Sequence, residues 1–126
     1  MSLSVLNTYE SVTESDVKVW FKAAPISKFP KNGGACIKYG DKQIAIFNFT
    51  RENTWYACQN LCPHKMEMVL SRGMIGEENM EAKVACPLHK NTFSLKTGKN
   101  LNGALDAIAT YPVKIEDAFV YVGFSE

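Results

Sequence analysis

The chain is poor in histidine, in net charge and in long apolar segments. Only two histidines occur in 126 residues, and both are accounted for by the motifs described below, so none remains for a Ser/His/Asp hydrolase site. A net charge of +1 gives no overall attraction to nucleic acid or to an anionic membrane surface. No apolar run approaches the roughly 18 residues of a membrane span. The sequence therefore predicts neither a nucleic-acid nor a membrane partner.

The N-terminus carries no recognisable export signal. Residues 1–16 have neither a basic segment nor an apolar segment of useful length. We therefore expect a cytoplasmic protein whose four cysteines are not paired in disulfides. Cys36 and Cys58 lie on predicted strands and are expected to be small buried thiols. Residues 1–15 are polar, which predicts a loose N-terminal arm.

Each histidine is accompanied by a cysteine in a short motif, 62-CPH-64 or 86-CPLH-89. We predict that these motifs supply four metal ligands: Cys62, His64, Cys86 and His89. Two thiolates and two neutral imidazoles can hold one tetrahedral zinc ion, or a [2Fe–2S] cluster with both cysteines on one iron and both histidines on the other. Zinc modules usually pair like with like along the chain, so the mixed pairs favour the cluster, with zinc as the alternative.

The charge of this donor set indicates what a cluster here would do. An oxidised core of about +2 becomes about −2 with four thiolates, but stays near zero with two thiolates and two imidazoles. Adding an electron to a neutral centre is easier, and such sites have potentials of roughly −150 to +300 mV. The motifs thus predict a carrier of single electrons.

Alternating and β-rich segments run through most of the chain, separated by regular turn signals. The predicted strands cover 17–24, 35–39, 43–49, 54–59, 81–86, 92–95, 111–116 and 118–124. A Gly-Asp turn joins the second to the third, and Asp117 marks the last hairpin. With no convincing long helix, the pattern predicts an all-β sandwich or barrel, with residues 16–126 forming one domain.

The ligand motifs resemble those of Rieske [2Fe–2S] proteins. Three longer stretches, 69–76, 84–101 and 111–123, are similar to the small subunits of assimilatory NAD(P)H-dependent nitrite reductases, and the resemblance covers about residues 17–124. It implies an antiparallel β-sandwich with a small, loop-rich cluster-binding subdomain at about 60–95.

The resemblance also implies a function. Electrons from a reduced nicotinamide cofactor would pass through a large flavin- and sirohaem-containing subunit, which reduces nitrite to ammonium in nitrate assimilation. The chain would be the electron-transfer subunit of this enzyme and not a catalyst by itself. The alternatives are a Rieske ferredoxin that feeds an oxygenase and a zinc-stabilised binding module.

Three positions differ from the common Rieske patterns. Most Rieske proteins have Gly directly after the second ligand histidine, where this chain has Lys90. High-potential respiratory Rieske proteins join their two cluster loops by a disulfide, whose positions are Met66 and Leu88 here. The resemblance therefore implies the lower-potential type. Lys65 and Lys90 each follow a predicted ligand histidine and are expected to form a rim that attracts an acidic partner.

Neighbouring residues have predicted supporting roles. The hydroxyls of Thr92 and Ser94 are candidates to hydrogen-bond the cluster sulfurs. Three side chains are expected to shield the cluster from water, namely Met66, Met68 and Leu70, and for the two methionines the alternative is a contact patch for a partner. Three glycines are expected at turns with positive φ, namely Gly73, Gly76 and Gly98.

Overall fold

A computed structural model describes residues 9–126. This part of the chain forms twelve short strands and three 3-10 turns. The strands are β1 (Val19–Pro25), β2 (Gly33–Tyr39), β3 (Lys42–Phe49), β4 (Thr54–Gln59), β5 (Leu61–Cys62), β6 (Glu67–Met68), β7 (Met74–Glu78), β8 (Glu81–Ala85), β9 (Thr92–Ser94), β10 (Thr110–Tyr111), β11 (Val113–Glu116) and β12 (Phe119–Phe124). The 3-10 turns are Glu14–Asp16, Ile26–Lys28 and Leu70–Arg72. Nowhere among residues 9–126 is there a helix with the length and apolar character needed to cross a membrane.

The strands form four separate antiparallel sheets. A three-stranded sheet has the order β1-β12-β11, and a four-stranded sheet has the order β10-β4-β3-β2. The other two sheets carry the predicted ligand motifs: Cys62 is the last residue of β5 in the hairpin β5-β6, and Cys86 directly follows β8 in the sheet β7-β8-β9. The prediction of an all-β antiparallel fold is confirmed, whereas the barrel alternative is wrong, because the sheets of the described chain do not close on one another.

Strand β3 lies between the two hydrophobic cores and contributes side chains to both. Ile44 and Ile46 pack with residues of β12, whereas Ala45, Phe47 and Phe49 pack with residues of β8 and β9. Successive strand side chains point to opposite faces, so a strand between two cores must be apolar on both. The nearly continuous apolar run 44–47 meets this demand, and all four residues are fully buried.

Most predicted strands and turns are confirmed. Gly40-Asp41 joins β2 to β3, with Gly40 at φ +61°, and Asp117-Ala118 joins β11 to β12 with both residues at positive φ. Eight strands were predicted and residues 9–126 form twelve, because β5, β6 and β7 lie where no strand was predicted and β10 is separate from β11. The longest of these missed strands is β7, which pairs with β8 along its length. Glu77 and Glu78 lie on opposite faces of β7, and both are exposed. The strand therefore lacks the alternation of apolar and polar residues that marks a half-buried strand.

The N-terminal prediction needs correction where it can be compared. Residues 1–8 of the predicted arm lie outside the described residues. Tyr9 and Val12 are not loose: both are buried in the core that contains β12. The Tyr9 hydroxyl accepts the Gln43 N–H at 3.0 Å, and the Val12 N–H donates to the Thr110 carbonyl oxygen at 2.9 Å. The burial of these two side chains depends on contacts with residues far along the chain. The polarity of the neighbouring residues does not predict it.

The two non-ligand cysteines behave differently. Cys58 is fully buried, as predicted, and burial strongly raises the pKa of its thiol. The prediction for Cys36 is wrong, since its side chain is exposed. Cys36 lies on β2, the edge strand of its sheet, directly opposite the fully buried Ala45 of β3, so it shares the face of Ala45 but is left uncovered at the edge.

Candidate metal centre

The first predicted ligand pair lies on the hairpin β5-β6. Leu61 pairs with Met68 and Cys62 with Glu67, so Cys62 is the last paired residue and His64 lies in the turn. Cys62 is 2% exposed, whereas His64 is exposed to solvent. The hairpin therefore directs one donor inward and one outward within three residues.

Two buried amides anchor this hairpin to the four-stranded sheet. The Asn60 side-chain oxygen accepts the Ser71 N–H at 2.6 Å, and its backbone carbonyl accepts the Leu70 N–H at 3.1 Å. The Gln59 side chain donates to the Leu61 carbonyl oxygen and accepts the Ala109 N–H, both at 2.7 Å. Sequence reasoning missed both residues. The signal was present, because two adjacent amides at the end of a predicted strand are separated from the first motif by Leu61 alone.

The second predicted ligand pair lies between β8 and β9. Cys86 is 2% exposed and follows β8, whereas the residues 87–90 are exposed. The Cys86 N–H donates to the Asn91 carbonyl oxygen, and the Lys90 N–H donates to the Cys86 carbonyl oxygen, both at 2.8 Å. Lys90 and Asn91 thus both lie opposite Cys86, and Lys90 has φ +59°. This is the pattern of a β-bulge whose first residue is left-handed, a position that favours glycine.

Residues 100–102 brace the second loop from outside. The Asn102 side chain donates to the Lys90 carbonyl oxygen at 2.9 Å and accepts the Thr92 N–H at 3.0 Å. The Asn100 side chain donates to the Thr92 carbonyl oxygen at 2.9 Å. These bonds fix the backbone on the C-terminal side of His89, and sequence reasoning did not identify either asparagine.

The four predicted ligands meet as one pair of sulfurs and one pair of rings. The thiols of Cys62 and Cys86 belong to the same buried core and lie close enough together for Cys86 to raise the pKa of Cys62. The rings of His64 and His89 have centroids 4.7 Å apart and are inclined at 68°. The two motifs are far apart in the sequence, and each contains one cysteine and one histidine. The fold nevertheless places the two sulfurs together inside and the two imidazoles together outside.

Burial affects the protonation of the sulfur pair. It raises the pKa of Cys62 to about 11; a hydrogen bond from the His64 N–H opposes this rise, and Cys86 adds to it. At neutral pH the metal-free thiol is protonated, so a metal that binds the thiolate must release its proton. Among residues 9–126, no three His, Cys, Asp or Glu side chains form a group that could hold a single metal ion.

A family model described as a Rieske-like [2Fe–2S] domain matches residues 19–123. The chain belongs to this Rieske family. Its cofactor is a [2Fe–2S] cluster, and the Rieske prediction made from the ligand motifs is confirmed.

Curated relatives include proteins of three names. The chain is 35% identical over 104 residues to a Klebsiella oxytoca protein named nitrite reductase [NAD(P)H] large subunit; the match covers 82% of the chain but spans 11% of that protein. It is 32% identical to the Escherichia coli nitrite reductase (NADH) small subunit, covering 80% of this chain and 94% of that one. It is 35% identical to a Ralstonia ferredoxin component of naphthalene 1,2-dioxygenase/salicylate 5-hydroxylase systems, covering 78% and 88%.

Solved structures show the same fold. The NMR structure of the Escherichia coli protein NirD superimposes with a TM-score of 0.76 at 30% sequence identity, covering 86% of this chain and 98% of that one. The solution structure of the nitrite reductase [NAD(P)H] small subunit from Erwinia carotovora superimposes with a TM-score of 0.71 at 27% identity, covering 85% and 82%.

The donor set of this Rieske chain fits a binuclear cluster. Each iron of a Rieske cluster takes either two thiolates or two imidazoles. The structure brings the two sulfurs together and the two imidazoles together, although each motif contributes one donor of each kind. Sorting by type is what two differently ligated irons require, and a single zinc ion does not require it.

The predicted supporting residues divide into two groups. Leu70 is fully buried in the core that contains Cys62 and Cys86, so it excludes water from the sulfur side. Met66 and Met68 pack instead against the other core, where Met68 accepts a hydrogen bond from the Tyr9 hydroxyl at 3.9 Å. Lys65 and Lys90 are exposed.

The hydroxyl groups predicted to reach the cluster have other partners. Ser94 donates to the Glu81 carboxylate at 2.6 Å and accepts the Lys96 and Thr97 N–H groups at 3.1 Å. Thr92 donates to the Lys90 carbonyl oxygen at 3.3 Å. Both hydroxyls thus stabilise turns of the second loop.

The glycine predictions also need correction. Gly98 has φ +84°, as expected, but neither Gly73 nor Gly76 has a positive φ. Gly73 is required for another reason, because a Cβ there would overlap the Ala85 carbonyl oxygen and lie 2.7 Å from the Val84 side chain. It permits the Leu70–Arg72 turn to pack against the end of β8, directly before Cys86.

Proposed function

We propose that Cys62 and Cys86 bind one iron of the [2Fe–2S] cluster and that His64 and His89 bind the other. The observation that supports this assignment is the sorting of the four side chains into an adjacent sulfur pair and an adjacent imidazole pair. The buried sulfurs, each 2% exposed, would be shielded from water by Leu70 and the neighbouring core. The exposed imidazoles would form the edge that meets a partner.

The bound cluster supplies one-electron chemistry at nearly neutral charge. The residues of the chain hold it and determine its surroundings. Asn60 and Gln59 fix the first loop to the sheet, and Asn102 fixes the second loop. These hydrogen bonds within the protein would hold in position the two loops that carry the histidines. A rigid ligand frame keeps the structural change between the two oxidation states small, which favours rapid electron transfer.

The wider role that we propose is the electron-transfer component of an NAD(P)H-dependent nitrite reductase. The likeness to a small subunit along 94% of its length supports it, as does a matching segment within a longer protein named the large subunit. The partner would be a large flavin- and sirohaem-containing subunit that reduces nitrite to ammonium, so this chain would be an enzyme component. We place it in the cytoplasm, in keeping with four free thiols.

The experiment is a reconstitution with purified proteins. The cluster-loaded chain is added to a large nitrite reductase subunit, and NAD(P)H-dependent nitrite consumption is measured with ammonium as product. We expect activity that saturates with the chain and is lost in the Cys86→Ser variant. A fully loaded chain that neither binds the large subunit nor supports nitrite reduction would contradict the proposal.

A second function is supported by the 35% identity to a dioxygenase ferredoxin component. In that case the chain would pass electrons to an oxygenase as a free carrier. The same loaded protein should then reduce a Rieske oxygenase in stopped-flow mixing and should not co-purify with a sirohaem protein. Because both roles use the same cluster, the ligand variants cannot separate them, but the identity of the acceptor can.

A further inference from the structure

Side chains of β8 and β9 form a row along the core-facing side of the sheet β7-β8-β9. The pairs Val84–Phe93 and Ala85–Thr92 set the register, and the Leu95 N–H donates to the Ala82 carbonyl oxygen one step further out. Ala82, Val84, Phe93 and Leu95 are all buried in the core that contains Cys86. Directly opposed residues of antiparallel strands place their side chains on the same face. The next pair along this inner face is Cys86 with Asn91, joined by the Cys86 N–H bond.

Asn91 is the polar member of this otherwise apolar row. Its Nδ2 atom is inaccessible to solvent, and it has no hydrogen-bond partner in residues 9–126. Burying an amide N–H without an acceptor is unfavourable, so such a group calls for an explanation at the site where it lies. Here the site is the side of the sheet that carries Cys86, which lies in the same buried core as Cys62.

The neighbouring side chains do not compete for this position. Thr92 is on the opposite face of the strand, where its hydroxyl donates to the Lys90 carbonyl oxygen. The Ser94 hydroxyl is occupied by the Glu81 carboxylate and two backbone N–H groups. Asn91 therefore offers a buried side-chain donor that has no other partner among residues 9–126, next to a predicted cluster ligand.

We propose that the side-chain amide of Asn91 donates a hydrogen bond to a sulfur of the bound [2Fe–2S] cluster and thereby raises its reduction potential. The acceptor is the Cys86 thiolate or an inorganic sulfide, both of which are anionic sulfur. Reduction adds negative charge to these sulfurs, so an N–H donor stabilises the reduced state more than the oxidised state. The inference rests on the ligand assignment proposed above.

The test compares reduction potentials of the cluster-loaded protein and three variants. Asn91→Leu replaces the amide by an apolar group of similar size, and Asn91→Ala removes it. Thr92→Val is the matched control, because it deletes the adjacent hydroxyl on the other face. We expect both Asn91 variants to lower the equilibrium constant for one-electron reduction about tenfold, or 59 mV, and the control to leave it unchanged.

Resonance Raman spectra in D2O identify the acceptor. In the wild type, one Fe–S stretching mode should shift on exchange, and the shift should disappear in Asn91→Leu. A mode that belongs to the iron–thiolate bonds would indicate Cys86, and a mode of the bridging sulfides would indicate sulfide. If Asn91→Leu fails to hold a cluster, Asn91→Ala supplies the comparison.

Three negative results have different meanings. Equal potentials and equal deuterium shifts in loaded wild type and Asn91 variants would overturn this inference and leave the ligand assignment intact. A wild-type protein without the visible spectrum of a [2Fe–2S] cluster would overturn the ligand assignment itself. An equal fall of potential in Thr92→Val would also count against Asn91, since it would indicate a general disturbance of the loop.

Discussion

The backbone N–H of Lys90 donates to the carbonyl oxygen of Cys86 at 2.8 Å, and this bond closes the second ligand loop with Lys90 at φ +59°. A left-handed conformation costs a residue with a Cβ about 1–2 kcal/mol, whereas glycine adopts it freely. The glycine that most Rieske proteins have after the second ligand histidine is therefore explained by the bulge. In this chain Lys90 adopts the less favourable conformation, and its exposed side chain places a positive charge beside His89.

We predict that Lys90→Gly stabilises the loaded protein. Glycine removes the left-handed strain but adds freedom to the unfolded chain, so the net gain should be about 0.5–1 kcal/mol in the free energy of unfolding. The urea midpoint, followed by loss of the visible cluster spectrum, should rise. The spectrum itself should not change, because the backbone bond to Cys86 is kept.

Lys90→Ala is the matched control for this prediction. It removes the same charge and side chain but keeps a Cβ in the left-handed conformation, so its urea midpoint should stay close to that of the wild type. An equal rise in the urea midpoint for the alanine and glycine variants would mean that the charge of Lys90, and not its backbone strain, destabilises the fold.

We predict that Gly73→Ala disturbs the second ligand loop from a distance. The added methyl group would overlap the Ala85 carbonyl oxygen and press on Val84, which directly precede Cys86. Overpacking of this kind costs about 1–3 kcal/mol, and the cluster should be lost at a lower temperature. Gly76→Ala is the control, since its nearest neighbour is the end of the Lys83 side chain at 3.8 Å. Equal thermal midpoints for the two variants would argue against the close packing at Gly73.

The Rieske family was predictable because the residue types of the two motifs nearly determine their chemistry. Two histidines, each two or three residues after a cysteine, leave few alternatives. The central hairpin was predictable because β3 is apolar on both faces and Gly40-Asp41 marks its turn. In these cases the information lies within a few residues of the feature.

What the sequence did not reveal depends on pairing between distant segments. Cys36 is exposed because β2 is an edge strand, and no local pattern states which strand is the edge. Asn91 matters because the register places it opposite Cys86, which becomes evident only when β8 and β9 are paired. Asn60 and Asn102 act through bonds to Ser71 and Lys90, 11 and 12 positions away.

We predict that the lysines beside the histidines speed docking without altering the cluster. Lys65 and Lys90 are both exposed, so replacing either by Glu reverses a charge next to the imidazole edge. At low ionic strength each reversal should slow association with an acidic electron-transfer partner on the order of fivefold, with the visible spectrum unchanged. Stopped-flow reduction at several salt concentrations measures this, and the difference should vanish in high salt.

Lys28→Glu provides the matched control for the rim. Lys28 is exposed in the 3-10 turn after β1, outside the two sheets that carry the predicted ligands. Its reversal changes the net charge equally, so it should leave the association rate nearly unchanged. A similar slowing in all three variants would attribute the effect to net charge and not to a local rim.

We predict that the native, cluster-loaded protein offers one thiol to an alkylating reagent. Cys36 is exposed, Cys58 is fully buried, and Cys62 and Cys86 are each 2% exposed and assigned to the cluster. Iodoacetamide should therefore modify Cys36 alone, and Cys36→Ser should abolish the reaction. In urea with an iron chelator all four cysteines should react, as counted by mass spectrometry.

The pH dependence of this labelling follows from the environment of Cys36. Partial burial raises the pKa of its thiol above the ordinary value of 9.0, although a hydrogen bond from the Ile44 backbone opposes the rise. Since the thiolate is the reactive form, labelling near pH 7 should be slower than that of a free cysteine peptide, and the rate should still be increasing above pH 9. Modification of Cys62 or Cys86 in the folded, coloured protein would be incompatible with their assignment as ligands, because a thiolate bound to iron cannot also be alkylated without loss of the cluster.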